Sequence, residues 1–127
     1  MMARDYNQKM TARASAVLTT AEVAATAMDI AVTDQSQLCV RAAFTVGSLT
    51  NVIIRCYVSE DGTTYDLLYG EGGAAYIVTL TATDTVAMPI PNLSGYKFFR
   101  VTAQGTGTVT NSLLALTYKW NKRGCNI

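Results

Sequence analysis

The chain is 127 residues long, half of them hydrophobic, with ten lysines and arginines set against nine aspartates and glutamates. That length suits one domain able to bury about two thirds of its unfolded surface, and a net charge of +1 excludes the broad basic footprint that nucleic acid or an anionic membrane surface requires. Histidine is absent, which removes the usual general base near neutral pH and the commonest nitrogen ligand of zinc, so neither a Ser-His-Asp nor a Cys-His site can be built.

The first segment, 1–13, reads as a flexible N-terminal arm, with Arg4, Asp5, Lys9 and Arg13 among polar residues. The following Ala-Val-Leu-Thr-Thr-Ala-Glu-Val stretch is interrupted by Glu22, which makes a poor secretory signal. No stretch approaches the roughly 18 to 20 uninterrupted apolar residues of a membrane helix, so a soluble protein made in a cytosol is expected. Ala14 to Met28 is ambiguous, because its alanines permit helix while its Thr and Val residues permit strand; strand is favoured. Met28, Ile30 and Val32 then alternate with Asp29, Ala31 and Thr33, the period-2 pattern of a half-buried strand ending near Asp34-Gln35-Ser36. Gln37 to Val46 is the next strand.

Gly47-Ser48 turns the chain into the segment that declares its class. Val52 to Tyr69 writes a β-hairpin: an alternating strand to Ser59, an Asp61-Gly62 turn, and a returning strand from Tyr65, glycine supplying the positive φ of a tight connection. Gly70-Glu71-Gly72-Gly73 is a loop and Tyr76 to Thr83 a strand. Pro89 and Pro91 mark an irregular crossing or an edge, since proline cannot donate to a ladder. Tyr96 to Ala103 and Ser112 to Trp120 complete the set. About seven to nine short strands with evenly spaced turns predict an all-β antiparallel β-sandwich or jelly roll, occupying 14–120 and followed by a C-terminal tail, 121–127.

Cys39, Cys56 and Cys125 lie far apart and are odd in number, so they make neither a disulfide framework nor a Cys-x-x-Cys metal knuckle. If the strands around Cys39 and Cys56 paired as a hairpin, the register placing Phe44 by Val52, Ala42 by Ile54, Val40 by Cys56 and Leu38 by Val58 yields one continuous apolar face. Two buried free thiols are therefore expected. That register sets Arg41 opposite Arg55, a like-charge cost unless a carboxylate or solvent intervenes.

Val52-Ile53-Ile54 and Leu113-Leu114-Ala115-Leu116 are apolar on both faces, more than one inter-sheet core can absorb, and a neighbouring subunit is the expected cover. Candidate chemistry is thin. Glu60, Asp61 and Asp66 surround the hairpin tip but lack the spacing of a calcium loop, and the glycine-rich segments lack the ending and helix of a phosphate loop. No cofactor is expected. Trp120, in phase with Leu114, Leu116 and Tyr118, reads as core at one end of the sandwich. Tyr6, Tyr57, Tyr65 and Tyr69 suit interfaces, or stacking on sugars.

Val58-Ser-Glu-Asp-Gly-Thr-Thr-Tyr-Asp-Leu-Leu68, followed by Leu93-Ser-Gly-Tyr-Lys-Phe-Phe-Arg-Val-Thr102 and the Thr-Gly-Thr-Val-Thr run at 106–110, resembles small tailed-bacteriophage virion proteins. Many of these carry an S-x-DG-x-x-[WY] hairpin and a later YxRV strand in a β-sandwich. The likeness covers about Val52 to Trp120, with Tyr65 where tryptophan is common and Phe98-Phe99 where one aromatic is usual. Discoidin-like carbohydrate modules share a similar hairpin. The resemblance implies a non-enzymatic virion structural protein, foremost a capsid decoration or cement protein. Its expected partners are the major capsid protein or other virion proteins and further copies of itself, with no nucleic acid and no membrane. A carbohydrate-binding or fibre-associated module, and a tail, neck or baseplate component, are the alternatives. Arg4, Tyr6, Lys9, Arg13, Ile53, Tyr57 and Tyr69 are the candidate contact residues.

Overall fold

The computed structural model describes residues 5–30, 38–47, 49–69, 73–90, 96–107 and 111–123. Over these residues the chain forms ten strands: β1 Asp5–Val17, β2 Val23–Ala24, β3 Met28–Asp29, β4 Leu38–Thr45, β5 Leu49–Ser59, β6 Asp66–Leu67, β7 Ile77–Leu80, β8 Asp84–Pro89, β9 Phe98–Gly107 and β10 Leu113–Arg123. Every pairing is antiparallel. One sheet has the order β1-β10-β4-β8, and the other β2-β9-β5-β6, with β3 also on β9 and β7 also on β5. The two stack as the expected β-sandwich.

The inner faces follow from alternation. β4 is buried at every second residue, Leu38, Val40, Ala42 and Phe44, and β5 at Val52, Ile54, Cys56 and Val58. These are the eight residues assigned to one apolar face, but the hairpin pairing drawn from them does not form. β4 pairs with β10 and β8, while β5 pairs with β9, β6 and β7, so the two strands lie in opposite sheets. The reason is physical: alternation says which way a side chain points, and two inward faces bury each other equally well side by side or across a sandwich. Arg41 consequently lies opposite Thr117 and Ala87, and Arg55 opposite Thr102, so the anticipated repulsion is never met. The crossing is made at Gly47, whose φ is 54° and where a Cβ would stand 2.5 Å from the backbone oxygen of Asn111.

The same alternation separates the thiols. Cys56 is fully buried, whereas Cys39, adjacent to inward Val40, faces outward and is half-buried; both are free. Cys125 lies outside the described residues.

The predicted hairpin is present, with Tyr57 opposite Leu67 and Val58 opposite Asp66. Its returning strand is short. Leu68 N–H donates to Cys56 O at 2.9 Å and Tyr76 N–H to Leu68 O at 2.8 Å, and β7 then resumes the pairing from Arg55–Ile77 to Val52–Leu80. β8 forms one edge of the first sheet and ends at Pro89, the edge position that proline allows.

Of the arm expected over 1–13, residues 5–13 are instead part of the sandwich. β1 runs in register along β10 from Asp5–Arg123 to Val17–Leu113, and β10 continues through 121–123, where a tail was expected. Residues 1–4 and 124–127 lie outside the described residues. The polar residues that resembled an arm are those of an edge strand: Lys9 is exposed while Ala12 is buried and Met10 packs on the core. Between Ala14 and Met28 the described backbone takes strand and irregular forms, without helix.

One hydroxyl crosses the core between the sheets. Tyr118 of β10, fully buried, donates to Thr26 O at 2.7 Å and accepts from the N–H of Val101 in β9 at 3.2 Å. Its ring meets Phe99 edge-on at 5.6 Å, and burial first of all pushes the phenol pKa up. Trp120 is buried, as expected, at the end of the inward row Leu114, Leu116, Tyr118.

Tyr118→Phe keeps the packing but strands the buried Val101 donor, so a loss of about 1 to 3 kcal/mol is expected, read from the urea midpoint at unchanged slope. Burial also pushes the Cys56 thiol from 9.0 up to about 12. A raised acid pKa means that the unfolded chain loses the proton first. Its contribution is therefore intact below pH 9.0 and declines as pH rises toward about 12. The fall in stability over that window should be shallower in Cys56→Ala, as measured by urea unfolding at stepped pH.

Candidate interaction surface

The outer face of the second sheet carries a polar cluster completed by the segment that runs along its β9 edge. The stretch 18–30 is tied to its neighbours by Gly105 N–H to Thr19 O, Ala25 N–H to Val101 O, Thr26 N–H to Ala12 O and Ile30 N–H to Lys97 O, all between 2.7 and 2.9 Å. That path brings Glu22 onto the outward row of β5 and β9, where Tyr57 faces Arg100, Arg55 faces Thr102 and Ile53 faces Gln104.

Glu22 is the centre of this cluster. Its Oε2 accepts from Tyr57 Oη and from Thr102 Oγ1, each at 2.6 Å, and its Oε1 lies 3.5 Å from Arg55 Nη1. Arg55 Nη1 also donates to Gln104 Oε1 at 2.9 Å, and Gln104 Nε2 to Thr20 O at 3.1 Å. The hydrogen bonds from Thr102 and Tyr57, helped by the charges of Arg55 and Arg100, hold the Glu22 carboxyl below its ordinary value despite partial burial. Tyr57 is shifted up, by desolvation first and then by its bond to Glu22. A carboxylate so well supplied with donors is a weak proton acceptor. The arrangement fixes shape and charge; it is not poised for acid–base chemistry. Beside it the Arg100 guanidinium stacks over the Tyr65 ring at 3.9 Å, a cation–π contact, and its Nε is buried without a hydrogen-bond partner among the described residues.

Apolar residues border the cluster. Ile53 and Tyr57 are half-buried on the same face, Ile77 opposite Arg55 is 44% exposed, and Tyr69, bridged to Ala75 just beyond β6, is 60% exposed. Leu68 is buried and Leu67 lies opposite Tyr57, so alternation turns Tyr69 to the outer side with them.

Of the candidate contact residues, Ile53, Tyr57 and Tyr69 are thus brought to one face. Lys9 is exposed on the other sheet. Arg13 is turned inward on its own strand, donating from Nε to Leu114 O at 3.1 Å and from Nη2 to Ala16 O at 3.3 Å and Val17 O at 3.0 Å, where two register shifts interrupt β1. Tyr6 sits opposite Lys122 in the β1–β10 register, while its side chain and Arg4 lie outside the described residues. Glu22, Thr102 and Gln104 were not anticipated as a cluster. The one available signal was the need for a carboxylate near Arg55.

The hairpin tip is a self-contained turn. Ser59 Oγ accepts from the N–H groups of Asp61 and Gly62 at 3.2 and 2.8 Å and donates to Asp61 Oδ1 at 3.0 Å, which also accepts from Thr63 and Thr64 N–H at 2.8 and 2.9 Å. Those backbone bonds, Thr64 first, hold the Asp61 carboxyl below its ordinary value. Gly62 has a φ of 81°, and a Cβ there would come within 3.2 Å of the Phe98 ring. Glu60, Asp61, Thr64, Asp66 and Tyr96 line a cavity of about 250 Å³. Among the described residues no group of three His, Cys, Asp or Glu is placed to hold a metal ion, and no helix is long and apolar enough to cross a membrane.

These features define a two-sheet antiparallel β-sandwich with built outer faces. No family model matches the sequence, and no curated protein matches it in a sequence search. Among solved structures, the SPBc2 prophage-derived protein YomS superposes with a TM-score of 0.63 at 12% identity, covering 96% of this chain and 98% of that one. A structure described as Bacillus endospore appendages forming disulfide-linked pili superposes with a TM-score of 0.55 at 12% identity, covering 96% and 92%. At such identities the likeness establishes a shared fold.

Glu22→Gln keeps an acceptor for Tyr57 and Thr102 but removes the charge, and a loss of about 1 kcal/mol is expected. Because the carboxyl is depressed in the folded state, its contribution is complete above its ordinary 4.5 and disappears as pH falls below it. Acid unfolding followed by circular dichroism should accordingly be less steep in Glu22→Gln than in the parent.

Proposed function

We propose that this chain is a non-enzymatic structural component of a phage virion, a decoration protein that cements the outside of a capsid at subunit junctions. The observation that carries the reading is the superposition on a prophage-derived protein over nearly the whole of both chains. The endospore appendage likeness supports the same view, as a second instance of this sandwich in an assembled structure. The chain's own chemistry agrees: it has no histidine, the Cys56 thiol is buried with its pKa raised, and the Glu22 carboxylate is committed to its own donors.

In this reading the face bearing Ile53, Tyr57, Tyr69 and Ile77 meets the major capsid protein or another virion protein. Aromatic and aliphatic side chains held on a sheet lose little entropy on docking and make good interface anchors. Many identical weak contacts on one shell reinforce one another through effective concentration, so no single strong site is needed. The exposure of Tyr69, 60% for the residue, is what a carbohydrate-binding or fibre-associated module would use, and it supports that second reading.

The purified chain should co-sediment with bare capsids of its parent phage, and the double variant Tyr69→Ala, Ile77→Ser should bind about tenfold more weakly, equivalent to about 1.4 kcal/mol, at unchanged thermal stability. Absence of co-sedimentation, together with binding on a glycan array that is lost in Tyr69→Ala, would replace the capsid reading with the sugar reading. Immunogold label on the tail of intact particles would move the protein to a tail, neck or baseplate position.

A further inference from the structure

The outer face of the first sheet takes no part in the surface described above, yet it has a distinct character. Register places Lys9 of β1 directly opposite Lys119 of β10, with Arg41 of β4 in the next row, opposite Thr117. All three cations are exposed. Short side chains surround them, Thr11 and Thr117 in the Arg41 row and Ala43 and Ala115 in the row beyond. The face is therefore flat as well as basic.

Directly opposed residues on neighbouring strands stand about 5 Å apart and diagonal ones about 7 to 8 Å, and like charges at such spacing are destabilising. Those separations lie within the Debye length of about 8 Å at physiological salt. Among the described residues the ion pair is Glu22–Arg55 on the other sheet, and no carboxylate pairs with Lys9, Lys119 or Arg41. Nothing among the described side chains offsets this grouping, and threonine would suit the same strand positions better.

The complementary surface is on the same molecule, at a place that cannot reach this face intramolecularly. The hairpin tip belongs to the second sheet and exposes Glu60, Asp61 and Asp66 around the cavity closed by Tyr96. Asp61 Oδ1 is engaged in the turn, but the carboxylates of Glu60 and Asp66 face solvent. Lys97, the cation joined to this end through its backbone bond to Ser59 O, pairs with none of them among the described residues.

We propose that the Lys9–Lys119–Arg41 face is the docking surface for a second copy of this chain, which seats its Glu60–Asp61–Asp66 tip on it. A projecting acidic tip fits a flat basic face of short side chains in both shape and charge. Because the two surfaces differ, the contact is head-to-side: a pair of copies keeps one free face and one free tip between them, and the association closes into a ring or continues as a filament. The proposal rests on the structural-protein reading and adds that the copies bind one another as well as their shell. It also leaves the Tyr69 face free for the shell.

Sedimentation velocity over a concentration series tests it, repeated from about 0.01 M to about 1 M salt, over which the Debye length shrinks from about 30 Å to about 3 Å. The parent chain should self-associate at low salt and dissociate at high salt. Lys9→Glu combined with Lys119→Glu should be monomeric, as should Glu60→Lys combined with Asp66→Lys, and mixing the two reversed variants should restore association. The mixture guards against misfolding, because two misfolded proteins would not recover a specific complex. A parent chain that stays monomeric at low salt overturns the proposal, as does association indifferent to salt or to both reversals. Loss of capsid co-sedimentation in the lysine variant with self-association intact also overturns it, assigning the face to the shell. Monomeric behaviour with capsid binding retained would defeat this inference while leaving the virion reading in place.

Discussion

Val40, Ala42 and Phe44 from one sheet meet Val52, Ile54, Cys56 and Val58 from the other across a buried apolar interface, and Tyr118 reaches through it to hold Val101 and Thr26. The apolar contact is non-directional and would tolerate some sliding of one sheet over the other. The hydroxyl is directional: it satisfies a buried donor of the opposite sheet and so selects one relative position. The placement of the segment 18–30, and with it Glu22, depends on that position, because Thr26 is held both by Tyr118 and by Ala12 O.

With the inner faces filled, the outer faces are free to differ, and they do. The second sheet carries a closed polar cluster around Glu22 bordered by exposed Tyr69 and Ile77, whereas the first carries opposed lysines on a ground of alanine and threonine. A sandwich permits this division because successive residues of each strand point to opposite sides, so the core constrains only every second position. The edges are handled separately. β8 ends in proline, and β1 is broken by register shifts whose exposed carbonyls are capped by Arg13, two ways of preventing uncontrolled strand pairing along a sheet edge.

The hairpin illustrates how local and tertiary demands combine. Its tip is stable on local chemistry alone, through Ser59, Asp61 and Gly62, and its body is anchored by the inward residues of β5. The returning strand has to leave the sheet after Leu68 and return at Ile77. This excursion exposes Tyr69, so the aromatic residue best suited to contact a partner is presented by a departure from regular pairing.

Much of this was legible in the amino-acid order: the all-β class, the inward residues of β4, β5 and β10, the turn at Asp61-Gly62, the edge at Pro89 and the burial of Trp120. Each is a short-range property, set by alternation, by a residue's own backbone preference or by a missing N–H. Only the tertiary structure decided which strands are neighbours, that 5–17 is an edge strand along β10 where polar composition pointed to an arm, and that Glu22, Arg55, Tyr57, Thr102 and Gln104 converge. Period-2 alternation fixes the direction of a side chain but carries no label for its partner, and a cluster drawn from residues up to 82 positions apart exists only once β5 has paired with β9 and the segment 18–30 has been seated along β9.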